Sequence, residues 1–272
     1  MSDKMRMIPF GGLIDRMMDE WRHFRSLFDI PEDAFYRKGD ERIYEVFGRK
    51  ISTPLAPAAG PQTQIAQNVV ASYLTGSGFI ELKTVQILDG LEIDKPCIDM
   101  TDEGFNTEWS TELTLGQAWE EYAKAWILLH LVERLFGLGH AGMERSFVFN
   151  ISVGYDLEGI KSPKMDRYIE RMKDSGNEER FLGWLTELDE RISDPTFLYG
   201  TGLEDRAPTL KGLGASIPGR IASNVSLSTM HGCPPNEIES ICRYMLDQKS
   251  LDTYVKLNPT LLGYEKVRGI LD

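Results

Sequence analysis

Two lysines, a cysteine and a run of small residues are the groups in this chain best placed to do chemistry. Lys83 lies in Phe79-Ile80-Glu81-Leu82-Lys83-Thr84, and Lys256 in Tyr254-Val255-Lys256-Leu257-Asn258-Pro259. Both runs read as largely apolar strands, where an ammonium without a partner is costly. Either lysine alone is explained by a sheet edge or a salt bridge. Two at matching ends of neighbouring strands point to an anionic or electron-rich ligand. Cys233 precedes Pro234-Pro235, and proline favours the first turn of a helix. A thiol there feels the helix N-terminus, which favours thiolate, although an inert buried cysteine fits the same residues. His231 stands close enough to orient Cys233 or share its proton, or is simply a satisfied polar group. Ala58-Ala59-Gly60 lets a flat ring approach the backbone, or makes a plain tight turn. Cys97 and Cys242 read as packing residues. The three cysteines are widely spaced, with no C-x-x-C and no His/Cys metal spacing. The segment is therefore expected to hold no metal and no iron–sulfur cluster of its own.

These groups need elements to position them. Residues 9–28 carry apolar side chains at helical spacing, which predicts an amphipathic helix that packs on the rest of the chain, with a partner-docking helix as the alternative. Residues 42–47 and 50–54 read as a hairpin turning at Gly48. Strands are then expected over 53–59, 79–84, 147–153, 224–229 and 253–257. Helices are expected over 62–74, 115–136, 163–173, 179–192, 235–248 and 264–271, with irregular links at 85–113 and 194–219. Strict alternation of strand and helix predicts a parallel sheet with helices outside it. No G-x-G-x-x-G follows a strand, which lowers the dinucleotide-fold option against a (β/α)8 barrel. About five βα units are legible, fewer than such a barrel needs. The fold class expected is thus α/β: a TIM-type (β/α)8 barrel truncated after about five units. Residues 1–52 form a helix-and-hairpin extension and 53–272 the incomplete barrel. Functional groups in this class gather at the strand C-termini. Lys83, Thr84, Asn150, Ser228, Thr229, Lys256 and Asn258 all lie at or near such ends.

Composition narrows the function. The chain has 272 residues, 42% hydrophobic, and a formal net charge of −12, with no Lys/Arg block. Nucleic acid is not expected as a partner, because binding it needs a concentrated basic face. No apolar run is long enough to span a bilayer, and no signal-like segment follows Met1. With free thiols, this predicts a cytoplasmic protein.

The stretches TPLAPAAGP (53–61), FIELKTV (79–85), FNISVGY (149–155), CPPNEIESICRY (233–244) and YVKLNP (254–259) together resemble the flavin barrel of dihydroorotate dehydrogenases and the pyrimidine-reducing domain of dihydropyrimidine dehydrogenase. FIELKTVQILD, EGFNTEWSTE and LSTMHGCPPNEIE resemble more closely the family named for a selenate reductase iron–sulfur subunit, whose chains are far longer. The resemblance implies a flavin-dependent oxidoreductase that exchanges hydride between FMN and a small conjugated heterocycle or carbonyl compound. Ala58, Ala59 and Gly60 would lie along the ring, Lys83 and Thr84 would touch the ring or ribityl chain, and Asn150 would hydrogen-bond flavin or substrate. Lys256 would face the N1/O2 edge. Asn106, Ser228, Thr229 and Asn258 would meet the substrate, and Cys233, helped by His231, would handle the proton. The dehydrogenases carry asparagine where Ser228-Thr229 stand, and the pyrimidine-reducing enzymes place their cysteine later in the loop than Cys233. FAD and [4Fe-4S] modules, implied elsewhere in the longer chains, would act as electron-transfer partners, so this segment alone is expected to be inactive. Two rival readings remain at this stage. One is a Schiff-base, aldolase-type barrel using Lys256. The other is a non-catalytic docking module of a redox complex.

Overall fold

The computed structural model describes residues 6–91, 98–99, 105–106, 112–139, 143–154, 156–228, 233–256 and 262–271. Its first helix, α1 (Phe10–Phe24), buries Phe10, Leu13, Ile14, Met17, Met18 and Trp21. That face packs inward: the Phe10 ring lies 6.0 Å from Trp184 and Trp21 lies 4.6 Å from Phe136. Two short paired strands follow, β1 (Ser26–Leu27) and β2 (Ile30–Pro31). The expected hairpin is β3 (Tyr44–Val46) with β4 (Arg49–Ile51). Phe47 and Gly48 both take positive φ, 48° and 71°. Such a two-residue turn matches the twist of the flanking strands.

The strand expected over 53–59 does not form. Pro54 and Pro57 have no N–H to donate to a ladder. The segment still runs beside the sheet, since Leu55 O accepts from Phe79 N at 3.2 Å. Gly78 permits this approach, because a Cβ there would come 2.6 Å from Thr53 O. The expected helix over 62–74 begins as a 3-10 turn at Pro61–Thr63 and continues as α2 (Ala66–Leu74).

Four parallel strands make the sheet: β5 (Phe79–Glu81), β8 (Val148–Gly154), β9 (Ala222–Ser228) and β10 (Asp252–Val255), in the order β10-β9-β8-β5. Between β5 and β8 come an antiparallel pair, β6 (Ile98–Asp99) and β7 (Phe105–Asn106), and the long helix α3 (Leu115–Phe136). Sequence neighbours in this sheet are spatial neighbours, as a singly wound barrel requires. Helices α4 (Leu157–Ile160), α5 (Pro163–Lys173), α6 (Glu179–Ser193), α7 (Ala207–Leu210) and α8 (Leu213–Ser216) link β8 to β9. α9 (Pro235–Arg243) links β9 to β10 and ends in a π turn at Tyr244–Gln248, where one α-helix was expected. α10 (Tyr264–Leu271) follows β10.

α3 has clear local reasons for its limits. Gln117 N donates to Thr114 Oγ1 at 3.3 Å and Thr114 N donates to Gln117 Oε1 at 2.9 Å, a reciprocal cap. Gly137 closes the helix in the left-handed conformation, φ 60°. Nearly all of its side chains are buried, and Trp126 meets Phe147 and Phe149 of the sheet at 5.3 and 5.4 Å. No helix among the described residues is long and apolar enough to cross a membrane.

His130 sits in this layer, 5.0 Å from the Trp126 ring and 5.3 Å from Phe147. Burial, then the charges of Arg145 and Arg134, push its imidazole from 6.5 down to about 3. Between those values the unfolded chain binds a proton that the folded chain excludes. Stability contributed by the neutral ring is therefore present above pH 6.5 and lost as pH falls. The loss is expected to reach up to about 2 kcal/mol at pH 5. Hydrogen exchange of α3 amides in the full-length protein, corrected for intrinsic rates, should show this drop between pH 7.5 and 5. In His130→Phe the drop should shrink. An equal drop in both proteins would assign the acid sensitivity to another group.

Candidate active site at the strand ends

The sheet has one apolar and one polar face. Phe149, Ile151, Val153, Val225 and Leu227 are buried among the hydrophobic core. The intervening residues Asn150, Ser152, Asn224 and Ser226 are also buried. Period-two alternation sends them to the opposite face. A polar face this deeply buried must satisfy itself. Asn150 Nδ2 donates to Ser226 Oγ at 2.6 Å, and Asn224 Nδ2 donates to Asn150 Oδ1 at 3.0 Å. Asn224 Oδ1 is left without a hydrogen-bond partner. The β8–β9 pairing slips between Phe149 and Ile151, which lets Asn150 reach both neighbours.

β5 slips as well. Glu81 stands opposite Asn150, but Val85 stands opposite Val153, so the offset changes by one residue in between. Thr84 therefore joins the polar face, with Thr84 Oγ1 2.8 Å from Ser152 Oγ. Lys83 is buried, its Nζ donating to Thr84 O at 3.3 Å, while its own carbonyl accepts from Tyr122 OH at 3.1 Å.

Lys256 is paired, as the salt-bridge reading of a strand lysine allows. Its Nζ lies 3.0 Å from Glu81 Oε1. The second oxygen, Glu81 Oε2, accepts from Ala59 N at 3.0 Å. Glu81 and Lys256 belong to opposite edges of the four-stranded sheet. On a flat sheet three strand spacings would hold those edges about 14 Å apart. The contact therefore requires a sheet curled toward closure, with its polar face inside. At the other end, Phe47 of the hairpin lies 4.6 Å from Tyr254, and Arg49 Nη1 lies 2.8 Å from Asp252 Oδ2. The hairpin thus packs on the start of β10, away from the strand C-termini.

Ala58 is exposed, Ala59 half-buried and Gly60 buried. Gln62 Nε2 donates to Ala58 O at 2.8 Å, which folds this turn over the start of the next helix. Ser228 is half-buried at the end of β9, opposite Gly154. The backbone of Asn106 lies in β7 opposite Ile98. His231, Thr229 and Asn258 lie outside the described residues.

Cys233 is half-buried just before α9. The expected thiolate is not what its surroundings favour. Burial, then the Glu237 carboxylate one turn on and Asp156, push the thiol up. Glu237 is itself held, with Leu157 N donating to its Oε1 at 3.1 Å. With burial first and the two carboxylates adding to it, the group is suited to hold a proton rather than to attack as an anion. Among the described residues no three His, Cys, Asp or Glu side chains gather as a metal site.

Sequence reasoning brought Lys83, Thr84, Asn150 and Lys256 to this region. It missed Glu81, Ser152, Asn224 and Ser226. The signal was available: Asn150 and Ser152, and Asn224, Ser226 and Ser228, repeat with period two inside strands whose other face is apolar.

Comparison with known proteins agrees with this architecture. The family described as "Oxidoreductase YgfK, N-terminal TIM-barrel domain" matches residues 28–272. The chain is 55% identical over all 272 residues to "Putative oxidoreductase YgfK" of Escherichia coli strain K12, of which it covers 26%. The protein of the same name from Escherichia coli O157:H7 matches equally. The chain thus spans about a quarter of the length of the curated relatives it matches. It is also similar to the crystal structure of DHODH in complex with ferulenol from Eimeria tenella, at 17% identity and a TM-score of 0.48, covering 94% of this chain and 68% of that one. With its parallel strands in sequential order and its helices outside them, the chain has the expected TIM-type α/β fold and belongs to the family of N-terminal TIM-barrel domains of the oxidoreductase YgfK.

Proposed function

We propose that the full-length protein is an FMN-dependent oxidoreductase and that its FMN binds at the strand C-termini of this barrel. The observation that carries this reading is the polar group assembled there. Lys256, Glu81 and the Ala59 amide are joined across the mouth, beside the buried Lys83 and Asn150 and the half-buried Thr84. These residues fit the cofactor. Two lysines, Lys83 and Lys256, suit a ring whose reduced form carries negative charge. When bound, FMN supplies hydride exchange at N5. The chain's own residues do the rest. Ala58, Ala59 and Gly60 lie along the ring, Lys83 and Thr84 hold the ring or its ribityl chain, and Asn150 hydrogen-bonds flavin or substrate. Lys256 sets positive charge at the N1/O2 edge. Asn106, Ser228, Thr229 and Asn258 would meet the substrate, and Cys233, with help from His231, would give or take its proton.

The substrate class is a small conjugated heterocycle or carbonyl compound. Selenate, the oxyanion in the name of the related family, offers no carbon to accept a hydride. Electrons would pass through FAD and [4Fe-4S] modules or subunits outside this chain, in a cytoplasmic protein. A Schiff-base mechanism draws less support, because an amine tied into an ion pair with Glu81 is not a free nucleophile. The two readings separate in one experiment. The full-length protein should show flavin absorbance and yield no substrate adduct at Lys256 after borohydride treatment. A colourless protein with a trapped Lys256 adduct would reverse the assignment.

A further inference from the structure

Glu81 has no place in the chemistry above, yet it organises the site. It is a buried carboxylate inside β5, and each of its oxygens meets a separate piece of the strand-end region. Oε2 accepts from Ala59 N at 3.0 Å, in the small-residue turn. Oε1 lies 3.0 Å from Lys256 Nζ, beyond the end of β10, an ion pair by distance that is not aligned as a hydrogen bond. The Glu81 side chain is 9% exposed and that of Lys256 27%, so the pair sits at a depth where screening by water is reduced. A buried pair of this kind is a weak source of stability, since desolvation offsets most of its Coulombic gain. Its effect lies in what it fixes. A lysine side chain has four rotatable bonds, and an ion pair removes most of that freedom. The carboxylate also offsets part of the positive field that the lysine presents to its surroundings.

We propose that Glu81 is a positioning residue for Lys256 and that it moderates the charge Lys256 presents to the flavin. This inference rests on the FMN reading above. The lysine favours the reduced, negatively charged cofactor and raises its potential. The carboxylate, held against the lysine, works in the opposite direction and lowers it. The site thus carries a cation whose strength is set by a fixed counter-charge, and the Ala59 contact couples that setting to the turn lying along the ring.

The test is a redox titration of the protein-bound FMN in the full-length protein and in Glu81→Gln. Glutamine keeps the length and can still accept from Ala59 N, but it removes the charge. The reduction equilibrium should shift toward reduced flavin by about tenfold, equivalent to about 30 mV for a two-electron couple. In a Lys256→Met background the same substitution should shift it by less than half as much. Glu81→Asp, which keeps the charge, should stay closer to wild type than Glu81→Gln. If Glu81→Gln holds its flavin at an unchanged or lower potential, the inference fails. It also fails if the shift is equally large without Lys256, since the carboxylate would then act independently of the lysine. If Glu81→Gln does not fold, the FMN potential of Glu81→Asp decides: a value above wild type, from a counter-charge drawn back from the lysine, supports the inference, and one at or below wild type overturns it. A wild-type protein that holds no FMN would instead remove the reading on which the inference rests.

Discussion

Turnover in the full-length protein is expected to fall by about 10²–10⁴ in Cys233→Ala, with flavin content unchanged; that range is the usual contribution of a positioned proton donor or acceptor. The thiol stands just before α9, outside the polar group proposed to hold the cofactor. Burial and Glu237 push it up, so at neutral pH it is a proton donor. Two further results follow from that sign. Reductive turnover should be supported below the thiol's raised pKa and lost as pH rises through it. In Glu237→Gln, which removes a cause of the upward shift, the alkaline limb should move to lower pH. Stopped-flow rates across the pH range report both. Wild-type rates in Cys233→Ala would make the thiol a packing residue and place the proton donor elsewhere.

Lys256→Met should have an effect of comparable size through a different quantity. Methionine keeps the length and apolar bulk and removes the charge. The FMN potential should fall, and reductive turnover should drop by about a hundredfold or more, in line with the roughly 2.7–4 kcal/mol that a fixed electrostatic group supplies at a developing charge. The ion pair adds a second consequence, because the buried Glu81 carboxylate loses its counter-charge. The cleaner comparison is therefore Lys256→Met with Glu81→Gln, in which neither charge remains. Both proteins should turn over slowly, and the double variant should recover any loss of thermal stability. Arginine at position 256 should restore the potential only in part, since its planar head is larger and already has Glu81 to meet. Full activity with an unchanged potential in Lys256→Met would remove the lysine from the site.

Elements whose limits are set locally were legible before any coordinates. α3 runs over the residues its cap and closing glycine mark, because Thr114, Gln117 and Gly137 act within one turn of the chain. β8 falls within a residue of its expected span because its apolar positions alternate without interruption. The strand expected over 53–59 failed for a local reason that apolarity concealed: Pro54 and Pro57 cannot donate, and the segment meets β5 through the Phe79 N to Leu55 O bond without forming a ladder. What the sequence could not show is pairing. Lys83 and Lys256 look like matching strand-end cations, but the partner of Lys256 is 175 residues away in the chain, and only the curl of the sheet brings Glu81 to it. The one-residue slip after Glu81, which turns Thr84 inward, likewise depends on the neighbouring strand. Cys233 shows the limit of single-motif reasoning. The Cys-Pro-Pro pattern predicts a depressed thiol, whereas burial, and after it a carboxylate four residues on, push it up.

FMN is expected to lie in this barrel, against the turn at Ala58-Ala59-Gly60. The most direct measurement separates and quantifies the flavins released from the full-length protein, in wild type and in Ala58→Trp. Ala58 is exposed and outside the sheet ladder, so a bulky ring there should leave the fold and its thermal transition intact while filling the space along the turn. One FMN per chain is expected in the wild type, and loss of most of that FMN, but not of any FAD, in the variant. Absence of FMN from the wild type, or its full retention in Ala58→Trp, would contradict this placement.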